Sequence, residues 1–176
     1  MNILSSILEW ILKFLPIPVI VRNTHGGVIW WLGKYAREMK PGWYVVWPLI
    51  ADHEVVVAAR QTLNLSTQAL ITKDSRQVVA SAIIVYSITD IMKAIGGKNY
   101  DVTQTVSDMA LSSICSVVIR WEFAKLCEEL DDKVRQQLTS KCRRELKEFG
   151  VEVEDCAITD FTTARTIRLM GDAVSV

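Results

Sequence analysis

The chain opens MNILSSILEWILKFL and then meets Pro16 and Pro18, and this opening restricts everything that follows. On a helical wheel Ser5, Ser6, Glu9 and Lys13 fall within an arc of roughly 100°. The remaining surface is Ile3, Leu4, Ile7, Leu8, Trp10, Ile11, Leu12, Phe14 and Leu15. A helix over residues 2–15 would be about 21 Å long at about 1.5 Å per residue. That is short of a hydrocarbon core of about 30 Å, and the prolines stop or kink it. No basic region precedes the apolar run and no small-residue cleavage site follows it, so it does not read as a cleaved signal peptide. Three readings compete: a helix lying in or dipping into a membrane interface, a tilted span over residues 3–21, and a helix buried in a core or on a partner. The wide apolar face favours lipid, with those nine residues as the anchor and residues 1–21 as the anchoring segment. Arg22, Lys34, Arg37 and Lys40 follow it, and such flanking charge would hold the next domain on the cytoplasmic side.

The 176 residues suffice for one domain or two small lobes sharing a seam. Twenty basic residues balance twenty acidic ones, without the basic excess of a nucleic-acid binder. Cys115, Cys127, Cys142 and Cys156 fit no metal-binding spacing. They read as buried reduced thiols, with Cys127 and Cys142 on one helix. His25 and His53 lack neighbouring ligand types and read as structural or surface residues. There is no P-loop, no GxSxG and no HExxH, and Gly26-Gly27 and Gly96-Gly97 read as turns. Neither catalysis, cofactor nor metal is expected.

Residues 28–32 read as a strand between Gly26-Gly27 and Gly33, and residues 43–47 as a second between Lys40-Pro41-Gly42 and Pro48. Short strands follow at 54–60 and 62–65. The run 77–88 is apolar enough to lie centrally in a sheet. Thr89 or Asp90 caps a short helix ending at Gly96-Gly97, and Asp101 with Gln104 opens another to about residue 119. Residues 122–149 carry apolar side chains at helical spacing and predict one long helix ending at Gly150. Residues 151–158 alternate as an edge strand.

Two sets of side chains stand out. Strand alternation puts Trp43, Val45 and Trp47 on one face and Tyr44 and Val46 on the other, and turns Trp30 and Trp31 to opposite sides. Either all four tryptophans fill a core, or some meet a membrane interface, where an apolar ring with a hydrogen-bonding edge is at home. The charges Arg120, Glu122, Lys125, Glu129, Lys133 and Arg135 either form a solvated helix face or interlock with a neighbouring copy.

The order of short strings then becomes informative. Gly27-Val28-Ile29, Leu32-Gly33-Lys34-Tyr35, Pro41-Gly42 and Trp47-Pro48-Leu49-Ile50 come first. Arg60-Gln61-Thr62-Leu63, Ala69-Leu70-Ile71-Thr72-Lys73-Asp74, Tyr86-Ser87-Ile88-Thr89-Asp90 and Phe149-Gly150-Val151-Glu152-Val153 follow. In this order and spacing, over residues 22–161, they resemble the stomatin/prohibitin/flotillin (SPFH, or band 7) domain. The resemblance implies an α+β fold after the N-terminal hydrophobic helix. A β-rich membrane-proximal lobe would occupy residues 22–66, an α/β lobe residues 67–161, and a short tail residues 162–176. It implies a non-enzymatic, membrane-associated scaffold without cofactor that assembles with its own copies into a ring or cage. Its partners would be a lipid membrane, further copies, and client membrane proteins such as proteases or channels, with no nucleic acid. The alternative is a monomeric or dimeric adaptor docking on a larger assembly of this type. Two departures matter. Only residues 161–176 follow Asp160, where the family usually carries a long coiled coil. Ser75-Arg76-Gln77 replaces a turn that usually contains glycine.

Overall fold

The computed structural model describes residues 15–96, 99 and 101–163. Anchor residues Ile3, Leu4, Ile7, Leu8, Trp10, Ile11, Leu12 and Phe14 lie outside the described residues. Among the described residues, eight strands and four α-helices form an α+β fold in two lobes.

The first lobe holds two small sheets. Strands β1 (Ile17–Val21) and β4 (Gly42–Val46) form an antiparallel ribbon with Ile20 opposite Trp43. Strands β2 (His25–Trp31), β3 (Tyr35–Met39) and β5 (Ala51–Val57) form a sheet in the order β3-β2-β5. Their shared core is small: Val21, Ile29, Met39, Val46 and Ala51. Residues 17–21, assigned from sequence to the end of the anchoring segment, are therefore a strand, and the span over 3–21 is excluded at its C-terminal end. The proline-flanked, β-branched run pairs with β4 instead of continuing a helix.

The second lobe is a sheet in the order β6-β7-β8. Strand β7 (Gln77–Ile88) lies between β6 (Gln61–Ile71) and β8 (Val151–Thr163) and pairs with both along its length. Helix α1 (Ile91–Ile95) starts at Asp90, whose side chain accepts from the Lys93 N–H at 3.1 Å. Helix α2 (Val102–Val118) starts at Asp101, which accepts from the Gln104 N–H at 3.0 Å. These are the two caps read from the sequence, each satisfying an otherwise orphaned helix donor. Helix α2 packs on β6, while α4 (Arg135–Leu146) packs on β8 and on α2. Val106, Ala110, Ile114, Leu138, Cys142 and Leu146 face Val78, Ile84, Tyr86 and Val153 in one core.

Three expectations need correction. The boundary drawn between residues 66 and 67 falls inside β6. That strand does not stop at Leu65 but crosses a bulge at 66–67 and continues to Ile71, so the lobes divide at residues 58–60. The single long helix over 122–149 is broken into α3 (Phe123–Glu128), a π-turn (Leu130–Val134), α4 and a final 3-10 turn (Lys147–Phe149). The π-turn bond runs from the Val134 N–H to the Glu129 carbonyl at 3.1 Å. A step of four residues drifts around a helix of about 3.6 residues per turn; the extra residue of the π-turn resets the phase, so Leu126, Val134 and Leu138 are all fully buried. Cys127 and Cys142 consequently sit on different helices. Only Cys142 and Cys156 are buried; Cys115 and Cys127 are exposed.

Two positive-φ positions explain local sequence. Gly150 ends the helical segment at φ 72°, as its place after Phe149 predicts, and its carbonyl accepts from the Thr89 and Asp90 N–H groups at 3.0 and 3.1 Å. A Cβ there would lie 2.3 Å from the Asp90 carbonyl oxygen. Ser75 adopts φ 61° in the turn between β6 and β7, where the resembling family usually carries glycine. Its strain is tolerated because the turn is tied from several sides. The Thr72 hydroxyl donates to the Asp74 carboxylate at 2.5 Å, Arg76 pairs with Asp74 at 3.1 Å, and the Lys73 N–H reaches the Trp121 carbonyl at 3.0 Å.

Ser75→Gly should stabilise the fold by about 0.5–1 kcal/mol, since relief of left-handed strain outweighs the added chain entropy. Gly150→Ala should destabilise it by about 2 kcal/mol or more, because strain and a backbone clash combine. Chemical denaturation of both variants, read against wild type, checks the opposite signs.

Asp155 accepts hydrogen bonds from Arg135, which hold its carboxyl below the ordinary value. Asp74 is held down chiefly by the Thr72 hydroxyl. A depressed carboxyl contributes stability that is complete above the unfolded value of about 3.9 and lost as pH falls through the folded value. Melting temperature should therefore drop as pH falls below about 4. Asp155→Asn should lower it near neutrality and flatten that drop, measured as melting temperature against pH.

Candidate functional site

The first lobe carries most of the exposed large apolar side chains among the described residues. This follows from strand alternation on a ribbon with only one face against the small core. Val19, Val21, Tyr44 and Val46 turn inward, while Pro18, Ile20, Trp43 and Val45 turn outward. Trp43 is 77% exposed and sits directly across from Ile20. Two turns extend the surface. In one, the Lys34 N–H donates to the Trp31 carbonyl at 3.1 Å, with Leu32 at φ 51° and Gly33 at φ 66°. In the other, the Ile50 N–H donates to the Trp47 carbonyl at 3.1 Å. The Leu32 N–H joins them by donating to the Ile50 carbonyl at 2.7 Å.

These turns expose Leu32 (73%), Leu49 (63%) and Trp47 (48%) beside Ile17, where the chain enters from Leu15 and Pro16. Ile17, Leu32, Leu49 and Ile50 share a groove of about 430 Å3. Arg22, Lys34, Arg37 and Lys40 are all exposed on this lobe. Exposed apolar side chains on a lobe that also exposes cations suit an interface between hydrocarbon and anionic headgroups, although the groove itself is also lined by Asp52 and His53.

The sequence-selected residues divide unevenly. Trp31, Trp43 and Trp47 lie on the exposed surface; Trp30 does not. It is half-buried at the seam and packs against the larger core, together with Val56. Anchor residue Leu15, the one described, is exposed. Sequence reasoning missed Leu32 and Leu49, whose exposure comes from turns, and Tyr35, exposed at the start of β3 opposite Trp31. The signals available were Gly33 after Leu32 and Pro48 before Leu49.

The six charges selected on the second lobe are mostly used within it. Glu122 pairs with Lys125 at 3.1 Å and Lys73 at 3.7 Å, Lys133 with Glu129 at 2.6 Å, and Arg135 with Asp155. Arg120 alone among the six has no partner among the described residues. At the α2–α4 contact, buried Ser113 donates to Glu145 at 2.6 Å, and Lys141 reaches Ser116 and lies 3.6 Å from Glu145. No group of three or more His, Cys, Asp or Glu side chains among the described residues could hold a metal. No helix among them is long and apolar enough to cross a membrane.

The topology places a strand-only lobe beside an α/β lobe whose two main helices cover one sheet face, and the match to known proteins agrees with it. Over residues 19–170 the chain matches the SPFH domain / Band 7 family, and it belongs to that family. It is 28% identical over 158 residues to a stomatin homolog of Pyrococcus horikoshii, covering 89% of this chain and 58% of that protein. It is 25% identical over 149 residues to an uncharacterized protein of Archaeoglobus fulgidus, covering 85% and 59%. A putative band 7 family protein of Acanthamoeba polyphaga mimivirus shares 20% over 147 residues, covering 84% and 48%. The chain thus spans about three-fifths of the length of the first two.

If the exposed rings do not carry the fold, Trp43→Ser should change folding stability by less than about 1 kcal/mol, the scale of a cross-strand pair. Met39→Ala, emptying the small core, should cost about 2–5 kcal/mol. Denaturant titration of the two variants separates the roles.

Proposed function

We propose that this protein is a non-enzymatic, membrane-associated scaffold. Its N-terminal segment and the apolar surface of the first lobe engage lipid, and its copies assemble side by side into a ring or cage that organises a membrane patch or client membrane proteins. The observation that carries the reading is the exposure of Trp43, Trp47, Leu32 and Leu49 on the first lobe, with Leu32 and Leu49 lining a groove beside Ile17, where the apolar N-terminal segment joins the lobe. Burying one such side chain is worth about 1.5–3 kcal/mol, so several together, added to the N-terminal segment, would fix the tilt of the lobe against the bilayer. Cationic neighbours Arg22, Lys34 and Lys40 would add about 1 kcal/mol each near an anionic surface. The cytoplasmic side is supported by the same positive flank.

Flotation with vesicles of mixed neutral and anionic lipid tests the membrane half. The full chain should float. Trp43→Asp with Leu49→Asp should weaken recovery at least tenfold, and lipids brominated near the headgroup should quench tryptophan fluorescence in wild type. A full chain that stays at the bottom of the gradient would overturn the reading. Native mass in mild detergent tests assembly: many copies support a scaffold, and one or two support an adaptor on a larger assembly.

A further inference from the structure

In the second lobe half of the charged side chains between residues 120 and 155 form ion pairs within the chain, and two groups of the remainder, one basic and one acidic, stand apart. At the C-terminal end of α2, a groove of about 500 Å3 runs between that helix and α4. Its ionisable lining residues are Arg120, Lys141 and Arg144, and no carboxylate lines it. The groove is fixed rather than collapsible. The Trp121 ring wall is held by its Nε1–H donating to the Gln137 side chain at 3.1 Å. Lys141 is held by Ser116 and Glu145, and Ser140 is tied to the Gln137 carbonyl at 3.0 Å. Neither Arg120 nor Arg144 has a partner among the described residues, and both guanidinium groups are exposed. Such planar forks suit bidentate capture of carboxylates.

The opposite charge projects from the elbow between α3 and α4. The π-turn that breaks this helix carries Asp131 and Asp132, and Glu128 precedes it; all three are exposed. None forms a direct ion pair with a described residue, although Asp131 acts on nearby Arg135 and Asp132 on Lys133. The elbow is anchored beneath by Val134, which is fully buried, so the carboxylates are presented on rigid backbone. A π-turn departs from favourable helix geometry and persists where something depends on it.

From this complementarity we infer that the groove receives the acidic elbow of a second copy of this chain: Arg120 and Arg144 clasp Asp131 and Asp132 of the neighbour. The inference rests on the assembly half of the proposed function and names its contact. Of the six charges selected from sequence only Arg120 takes part, because the other five are already paired at home. Complementary patches of this kind set orientation and on-rate as much as affinity, and they weaken with salt.

Charge exchange in the full chain, in mild detergent, tests this with mass photometry as the readout. Raising sodium chloride from 50 to 500 mM should reduce wild-type association. Arg120→Glu with Arg144→Glu, and separately Asp131→Lys with Asp132→Lys, should each weaken association about tenfold or more, with melting temperatures unchanged because the positions are exposed. Mixing the two reversed proteins should restore association between unlike copies. Wild-type assembly that neither variant alters overturns this inference and leaves the scaffold reading standing; wild type monomeric throughout overturns both. Weakening only by the groove variant, with inorganic phosphate dispersing the wild-type assembly, would overturn it in favour of a separate anion in the groove.

Discussion

The second lobe depends on strand β7 being buried on its helix-facing side and paired at both edges. Val78, Ala80, Ala82, Ile84, Tyr86 and Ile88 form one alternating row, each almost fully buried. A row this apolar must be covered, and α2 and α4 cover it from one side. Because β7 pairs with β6 and β8 along its length, both neighbours are fixed in register to it, with bulges at 81–82 and 85–86 absorbing the mismatch with β8. The ion pairs on the lobe's surface sit on a frame set by this burial.

The first lobe is held by the second. Five fully packed side chains are a thin core for two sheets. The seam supplies the remainder. Val28 of β2 belongs to the larger core, and Gly26 lies so close to α1 that a Cβ would be 2.6 Å from Ile91. The Ile88 N–H donates to the Ala58 carbonyl at 3.1 Å, tying the end of β7 to the lobe junction. Trp30 is spent on this seam and so cannot serve the exposed surface.

Legibility followed how local the cause was. Strand β7, the caps Asp90 and Asp101, and the left-handed Gly150 are written in short windows, and the ordered strings pointed to the family. Two features escaped because they arise from packing across the chain. The bulge in β6 at 66–67 keeps Leu65 and Leu70 both buried across an irregular interval. The π-turn keeps Leu126, Val134 and Leu138 buried together, where a regular period read as one unbroken helix. At the candidate site the alternation of Trp43, Val45 and Trp47 was readable. Which face is bare depends on where the second lobe sits, and the exposure of Leu32 and Leu49 depends on turns that join only in three dimensions. The charges on 120–135 carry no mark of whether they pair at home, since Asp155 and Lys73 come from elsewhere in the chain.

The two surfaces that lack internal partners lie far apart. Strand β6 leaves the lobe junction at Gln61 and ends at Ile71. Its eleven residues span about 36 Å at about 3.3 Å each. The turn after it reaches Trp121, beside the basic groove, while the exposed tryptophans belong to the lobe before it. Contact with lipid at the first lobe would therefore leave the groove and the acidic elbow free. Contact between copies through the second lobe would leave the apolar surface facing outward. The apolar surface is non-directional and gains from any hydrocarbon phase, whereas the charged one is directional and selects a complementary shape. A chain carrying one of each at opposite ends can be held at a bilayer and ordered within its plane by separate forces, so that neither contact must be broken to make the other.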